Sequence, residues 1–172
     1  MKKIGLLSDT HGYLDEKILS NLKSVDEIWH AGDFGPGVAE QLEKIKPLRG
    51  VFGNIDDTAI RKTYPRELQF SCEQVKVMMI HIGGYPPKYE PHVRDTIKLF
   101  MPDIFISGHS HILKVMRDAT LNNLLHINPG AAGKHGLHRV RTMIRFTIDE
   151  KTISNLEVIE MGLRGALEVS YA

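Results

Sequence analysis

Apolar positions along this chain follow two different periods. Residues 3–8 (KIGLLS), 25–30 (VDEIWH) and 48–52 are short apolar runs that predict buried strands. Between them, residues 14–22 carry apolar side chains at Leu14, Ile18, Leu19 and Leu22, which is helical spacing, and residues 38–45 predict a second, short helix. Gly35-Pro36-Gly37 precedes that helix and Pro47 follows it, as start and stop signals do.

The middle of the chain changes character. Residues 67–70 and 75–82 (VKVMMIHI) predict two strands of one hairpin joined around 71–74. Gly83, Gly84, Pro86 and Pro87 then break regular structure, residues 93–100 return to helical spacing, and Pro102 ends that helix before a brief buried strand at 104–106. The last third is strand-rich, with runs at 112–117, 121–127, 140–148 and 152–159 separated by turns such as Asp149-Glu150-Lys151. Strand–helix alternation followed by antiparallel strands predicts an α/β protein: two mixed sheets packed face to face, with helices outside. No internal repeat, linker or low-complexity segment interrupts it, so residues 1–172 read as a single domain.

Composition narrows the chemistry. The 22 basic and 21 acidic residues leave a formal charge of +1, which advertises no broad nucleic-acid or membrane-surface footprint. The single cysteine, Cys72, placed in the predicted hairpin turn, excludes an internal disulfide and any thiolate-rich metal site, and fits a reducing compartment. The apolar run after Met1-Lys2-Lys3 is too short for a signal-peptide core, and no window reaches the ~18 apolar residues that span a bilayer. The expectation is a soluble, cytoplasmic protein. Nine histidines stand against that one cysteine, so metal chemistry here would rest on nitrogen and oxygen ligands.

Five short segments carry such groups beside glycine, each just after a predicted strand: Asp9-Thr10-His11-Gly12, Gly32-Asp33, Gly53-Asn54, His81 before Gly83-Gly84, and Gly108-His109-Ser110-His111. Loops beyond the carboxyl ends of strands converge on ligand sites in open α/β sheets. Seven groups would gather there: Asp9, His11, Asp33, Asn54, His81, His109 and His111. In an extended D-x-H or H-x-H segment, residues i and i+2 project on one side, so both would reach one cation. Taken singly each signal is ordinary: an Asp at a strand end caps a turn, a lone His is a hydrogen-bonded structural residue, and Gly-Asn is a turn. Their joint, ordered occurrence is not ordinary.

That ordered set, D-x-H, G-D, G-N, H and G-H-x-H, resembles the calcineurin-like metallophosphoesterases. The chain length and the NPGA segment at 128–131 look most like the small branch that includes bacterial and archaeal phosphodiesterases and the small eukaryotic retromer subunit; the resemblance runs from Ile4 to Gly133. It implies a four-layer αββα sandwich of two mixed β-sheets flanked by helices, and two divalent ions. Asp9, His11 and His111 would hold one ion, Asp33 would bridge, and Asn54, His81 and His109 would complete the second. The resemblance puts manganese first as the metal, with iron, zinc, nickel or cobalt in relatives. Two ions ~3.5–4 Å apart share a water that becomes the hydroxide nucleophile for in-line attack on phosphorus. The implied activity is a phosphoesterase, a phosphodiesterase before a monoesterase, acting on a small phosphate ester. A membrane partner is not expected, nucleic acid is disfavoured, and a homo-oligomer stays open. The alternative is a non-catalytic metal-binding scaffold for protein contacts, like the retromer subunit, whose ligand set is degraded where this one is complete.

One departure stands out. Larger relatives read G-N-H-[DE], with the His assisting the leaving group; here the segment is Gly53-Asn54-Ile55-Asp56. Isoleucine donates no proton, so no catalytic side chain is expected beyond the metal-bound hydroxide, and good leaving groups should be favoured. Asp56 would either orient His11 or another ligand, or serve as a turn or cap. Among the other histidines, His30 and His126 read as packed core residues and His92 as a helix-start residue. His135 and His138 sit in a loop with Lys134 that is either solvated or in contact with substrate phosphate. Phe34, Tyr85 and Tyr89 lie in or beside site loops, where they would pack or stack a base.

Overall fold

The computed structural model describes residues 1–165. Two five-stranded mixed sheets stack face to face. The first has the order β12-β11-β1-β2-β3, formed by Thr152–Leu163, Val140–Asp149, Lys2–Leu7, Glu27–His30 and Leu48–Gly50. The second has the order β4-β5-β8-β10-β9, formed by Glu67–Cys72, Val75–Ile80, Ile104–Ile106, Leu124–Pro129 and Leu113–Asp118. Strands β1, β2 and β3 run parallel in the first sheet, with β11 antiparallel to β1 and β12 antiparallel to β11 on one side; β5, β8 and β10 run parallel in the second, with β4 and β9 antiparallel at its two edges.

Strand alternation decides which layer each side chain joins. Ile4 and Leu6 of β1 meet Val77, Met79, Ile104, Ile106, Ile127 and Phe146 in the core between the sheets, with Trp29 edge-on to Phe70 and Phe146. Leu7 faces the other way, onto α1 (Glu16–Leu22) and α2 (Val38–Glu43), through Ile18, Leu22, Val38 and Leu42. Gly5 sits where a Cβ would come within 2.7 Å of Leu22, so α1 rides close on the sheet. On the far face, Met78, Ile80 and Phe105 pack under Val93 and Ile97 of α4 (Pro91–Phe100). The layers are therefore helix, sheet, sheet, helix, as the sequence led us to expect.

Several boundaries differ from expectation. β2 starts at Glu27 because Asp26 is tied to Lys3 in a turn, its carboxylate accepting from the Lys3 amide at 2.7 Å. β4 runs through Cys72, which is buried in the core rather than in the turn; the turn is Glu73-Gln74, with Glu73 at φ 53°. A third helix, α3 (Thr58–Thr63), was not expected. It is six residues long, has no fully buried side chain, and rests on an Asp57 cap that accepts from the Ile60 amide, so it leaves no apolar period to read. The Gly83–Pro87 stretch is not irregular throughout: Gly84–Tyr85 (β6) and Lys88–Tyr89 (β7) pair as a small hairpin. No helix among the described residues is long and apolar enough to cross a membrane.

Candidate metal centre

All seven candidate residues lie just beyond the carboxyl ends of parallel strands. Asp9 and His11 follow β1, Asp33 follows β2, Asn54 follows β3, His81 follows β5, and His109 and His111 follow β8. Backbone bonds stitch these loops together. The Asp9 amide donates to Gly32 O at 3.0 Å, the His11 amide to Asp33 O at 3.1 Å, and the Gly108 amide to His81 O at 3.0 Å. The last of these stays within the second sheet; Gly108 reaches the first sheet by packing against the side chains of Ser8 and Asp9.

The loops are not extended, and this corrects the spacing argument. Asp9 (φ 54°), His11 (φ 46°), Asp33 (φ 56°), His109 (φ 66°) and His111 (φ 60°) all occupy the left-handed region. Each such non-glycine residue costs about 1–3 kcal/mol, and that cost concentrates where function demands a fixed direction. D-x-H does turn both groups to one place, but through two left-handed residues rather than strand alternation. H-x-H instead splits: His111 joins one group and His109 the other.

Those groups are Asp9, His11 and His111, and Asp33, His81 and His109; within each, three donor atoms lie within 4.8 Å of one another. Asp33 also faces both. Its Oδ2 is 3.4 Å from His11 Nε2 and 3.2 Å from His81 Nε2. Asp9 Oδ1 is 3.1 Å from His111 Nε2 and 3.8 Å from His81 Nε2. Asn54 is exposed and shares a cleft with His81. The arrangement fits cations: Asp9 Oδ1, His11 Nε2 and His81 Nε2 are buried, aim at one another, and make no hydrogen bond. A buried polar atom without a partner is expensive unless something binds it, and carboxylate with imidazole is a donor set for divalent transition ions.

The remaining atoms of these side chains are held. Asp9 Oδ2 accepts from Ser8 Oγ at 2.6 Å and from the His109 amide at 3.2 Å, and Asp33 Oδ1 accepts from the Ile55 amide at 3.0 Å. Burial disfavours a charged His81, yet the neighbouring Asp33 and Asp9 carboxylates outweigh it and raise its pKa. Burial likewise opposes ionisation of Asp33, but His81 and the Ile55 amide hold its pKa below the usual carboxylate value. His11 moves the other way: burial lowers it despite both carboxylates.

Asp56 is buried but does not touch His11. Its Oδ1 accepts from the Gly35 amide at 3.0 Å and its Oδ2 from the Gly53 amide at 2.8 Å, so it clamps the Asp33 loop to the Asn54 loop. His30 is fully buried and stacked on Phe34 at 3.8 Å between centroids. Its Nδ1 accepts from the Gly32 amide at 3.1 Å, and its Nε2 lies 3.0 Å from Thr10 Oγ1, which donates to Phe34 O. The ring is thus neutral with the proton on Nε2, its pKa pushed by burial to about 3. His126 is buried against Phe105, away from the centre, and His92 is exposed at the start of α4.

Sequence reasoning undervalued the loop after Gly133. The His135 ring lies 4.7 Å from the His11 ring, His138 is edge-on to His111 at 5.2 Å, and Gly136 (φ 120°) lies where a Cβ would overlap His111 Nδ1. Glycines three residues apart, just past the NPGA segment, were the available signal. Of the two roles open to the aromatics, packing holds for Phe34, which is fully buried between His30 and Tyr64; Tyr89 donates to Asp118, and the exposed Tyr85 has the Lys114 ammonium 3.7 Å from its ring centre.

The calcineurin-like phosphoesterase superfamily domain model matches residues 1–151. A probable metallophosphoesterase of Methanothermobacter thermautotrophicus is 32% identical over 136 residues, covering 74% of this chain and 76% of that protein. Among solved structures, one described as a novel archaeal phosphodiesterase aligns with a TM-score of 0.70 and 22% identity, over 91% of this chain and 99% of its own. Vps29 of Entamoeba histolytica, complexed with zinc, aligns with a TM-score of 0.71 and 15% identity, over 92% and 98%.

Proposed function

We propose, from the premise that this chain belongs to the calcineurin-like phosphoesterase superfamily, that it is a metal-dependent phosphodiesterase with a binuclear centre. The observation that carries the reading is the opposed set of buried, unpartnered atoms Asp9 Oδ1, His11 Nε2 and His81 Nε2, with Asp33 Oδ2 between the two histidines. Asp9, His11 and His111 would hold one ion, Asp33, Asn54, His81 and His109 the other, with Asp33 shared. When bound, a divalent pair polarises the phosphoryl group and activates water, manganese being the first candidate.

The chain's own residues supply the rest. Asp56 keeps the Asp33 and Asn54 loops in register, and the His81 ring is fixed by its bond to Ala31 O at 2.7 Å. Ile55 is exposed, and the family resemblance places it where larger relatives carry a histidine that assists the leaving group. That supports esters whose leaving groups need little help, since general-acid assistance is worth about 10²–10⁴-fold. The complete ligand set favours this reading over a non-catalytic scaffold.

The test is hydrolysis of bis-p-nitrophenyl phosphate by purified protein with and without Mn²⁺. Metal-dependent turnover, lost in Asp33→Ala, is the expected result. Turnover no greater than that of the Asp33→Ala protein overturns the proposal.

A further inference from the structure

A cleft of about 170 Å³ opens beside the centre and is continuous with it, because Asn54 and His81 form part of its wall. The other walls include Phe52, Arg61, Arg66 and Ile82, and no carboxylate lines the cleft. Drug-sized ligands fill about 300–1,000 Å³, so this cleft has room for one arm of a substrate rather than a whole one.

Its two arginines differ in kind. Arg61 is tied into the wall: Nε donates to Asp56 O at 2.7 Å, Nη2 donates to Asn54 O at 3.0 Å and to Gly53 O at 3.4 Å, and the guanidinium lies 4.6 Å from the Phe52 ring centre. Carbonyl oxygens accept from Nε and Nη2 but leave its positive charge uncancelled. Arg66 is exposed and forms no ion pair among the described residues. Arg49, Arg141 and Arg145 each face a carboxylate within 3.0 Å; several other arginines are unpaired too among the described residues, but of those only Arg61 and Arg66 line this cleft. An unpaired guanidinium fork beside a second uncancelled cation, in a cleft without acids, is a receptor for a planar or tetrahedral oxyanion.

We propose that this cleft is a specificity subsite for a second phosphate carried on one arm of the substrate, with Arg66 as the group that binds it. The proposal rests on the phosphodiesterase reading for the first phosphate, which would sit at the metal centre. The substrate class is then a phosphoester that carries a further phosphate one sugar-length away, with the apolar faces of Phe52 and Ile82 against the connecting ring.

Two matched chromogenic esters test this: thymidine 5′-(p-nitrophenyl phosphate), and the same compound carrying a 3′-phosphate. With Mn²⁺, the 3′-phosphorylated ester should show a kcat/KM about tenfold higher or more, mainly through KM, as one charge-assisted bidentate contact provides. Arg66→Gln should bring that ratio close to one, and Arg66→Lys should retain part of it. A ratio that is unchanged in Arg66→Gln, or close to one in the unaltered protein, overturns the subsite. Calorimetric binding of thymidine 3′,5′-bisphosphate against thymidine 5′-monophosphate separates the two proposals. If neither ester turns over, the phosphodiesterase reading fails. A preference for the bisphosphate that Arg66→Gln abolishes would still support the subsite, and equal affinities would overturn it.

Discussion

The Nδ1 atom of His81 lies 2.7 Å from the carbonyl oxygen of Ala31. A carbonyl only accepts, so Nδ1 carries the ring proton and the lone pair of the neutral ring sits on Nε2, 3.2 Å from Asp33 Oδ2. Ala31 is the first residue after β2 in one sheet, whereas His81 follows β5 in the other. One sheet thus aims a histidine supplied by its partner, and Gly32 leaves the space: a Cβ there would come within 2.6 Å of the His81 ring.

His81→Ala should therefore remove a donor without disturbing either sheet. After metal loading and desalting, elemental analysis should show one ion lost relative to the unaltered protein. Turnover should fall by about 100-fold or more, exceeding the 10–100-fold typical of groups that only orient a ligand. A full metal complement in the variant would remove His81 from the ligand set.

Asp56 joins two loops through the amides of Gly35 and Gly53 while buried beneath Asn54 and Asp33. Asp56→Ala strands both donors, and each unsatisfied buried amide costs about 1–3 kcal/mol. Urea unfolding should show a loss of about 2–4 kcal/mol, with Asp56→Asn losing less because its carbonyl oxygen still accepts from one amide. The Mn²⁺ concentration for half-maximal turnover should rise in both. Unchanged stability would show that the clamp is dispensable.

Gly136 reaches φ 120°, and a Cβ built there overlaps His111 Nδ1. Gly136→Ala must move either the loop or the imidazole. Since the loop lies outside both sheets, the variant should fold and melt cooperatively while its turnover drops by about tenfold or more, an outer-contact effect on a ligand. Gly162 is the control: it has φ 103° but, among the described residues, nothing within 4 Å of its Cβ position, so Gly162→Ala carries the backbone strain without the clash and should keep its turnover.

The layers, and the gathering of the candidate residues at one end of the sheets, were legible because both are written in local patterns. Ile4, Leu6 and Leu7 declare a doubly covered strand, and each D-x-H or G-H-x-H segment sits at the end of such a strand. What was not legible depends on distant partners. Asp56 looks like any turn acid until Gly35, 21 residues away, is seen to donate to it. His135 reads as a solvated loop residue until the fold stacks it on His11. Phe34 stays open to either packing or base stacking because nothing local reveals His30 on one side and Tyr64 on the other. Helix α3 carries only one partly buried apolar residue, Ile60, in its packing and so has no period to detect.

His126 provides a pH-dependent signature away from the metal centre. It is fully buried on β10 against Phe105, neither ring nitrogen has a hydrogen-bond partner among the described residues, and burial pushes its pKa to about 4 from an ordinary 6.5. Between those values the unfolded chain binds a proton that the folded chain refuses, so the group's contribution to stability grows as pH rises and is lost as pH falls. The full difference of about 2.5 pH units corresponds to roughly 3 kcal/mol, complete above the unfolded value and gone below about pH 4. His30, pushed to about 3, adds a slope of the same sign, so the unaltered protein should lose stability on going from pH 7 to pH 5. His126→Leu keeps every other titrating group and removes only the His126 contribution. Its stability should therefore fall less steeply across that interval, by about 2 kcal/mol, in urea titrations at each pH. Parallel curves for the two proteins would mean that His126 is charged or hydrated in the folded state, contrary to its place in the sheet.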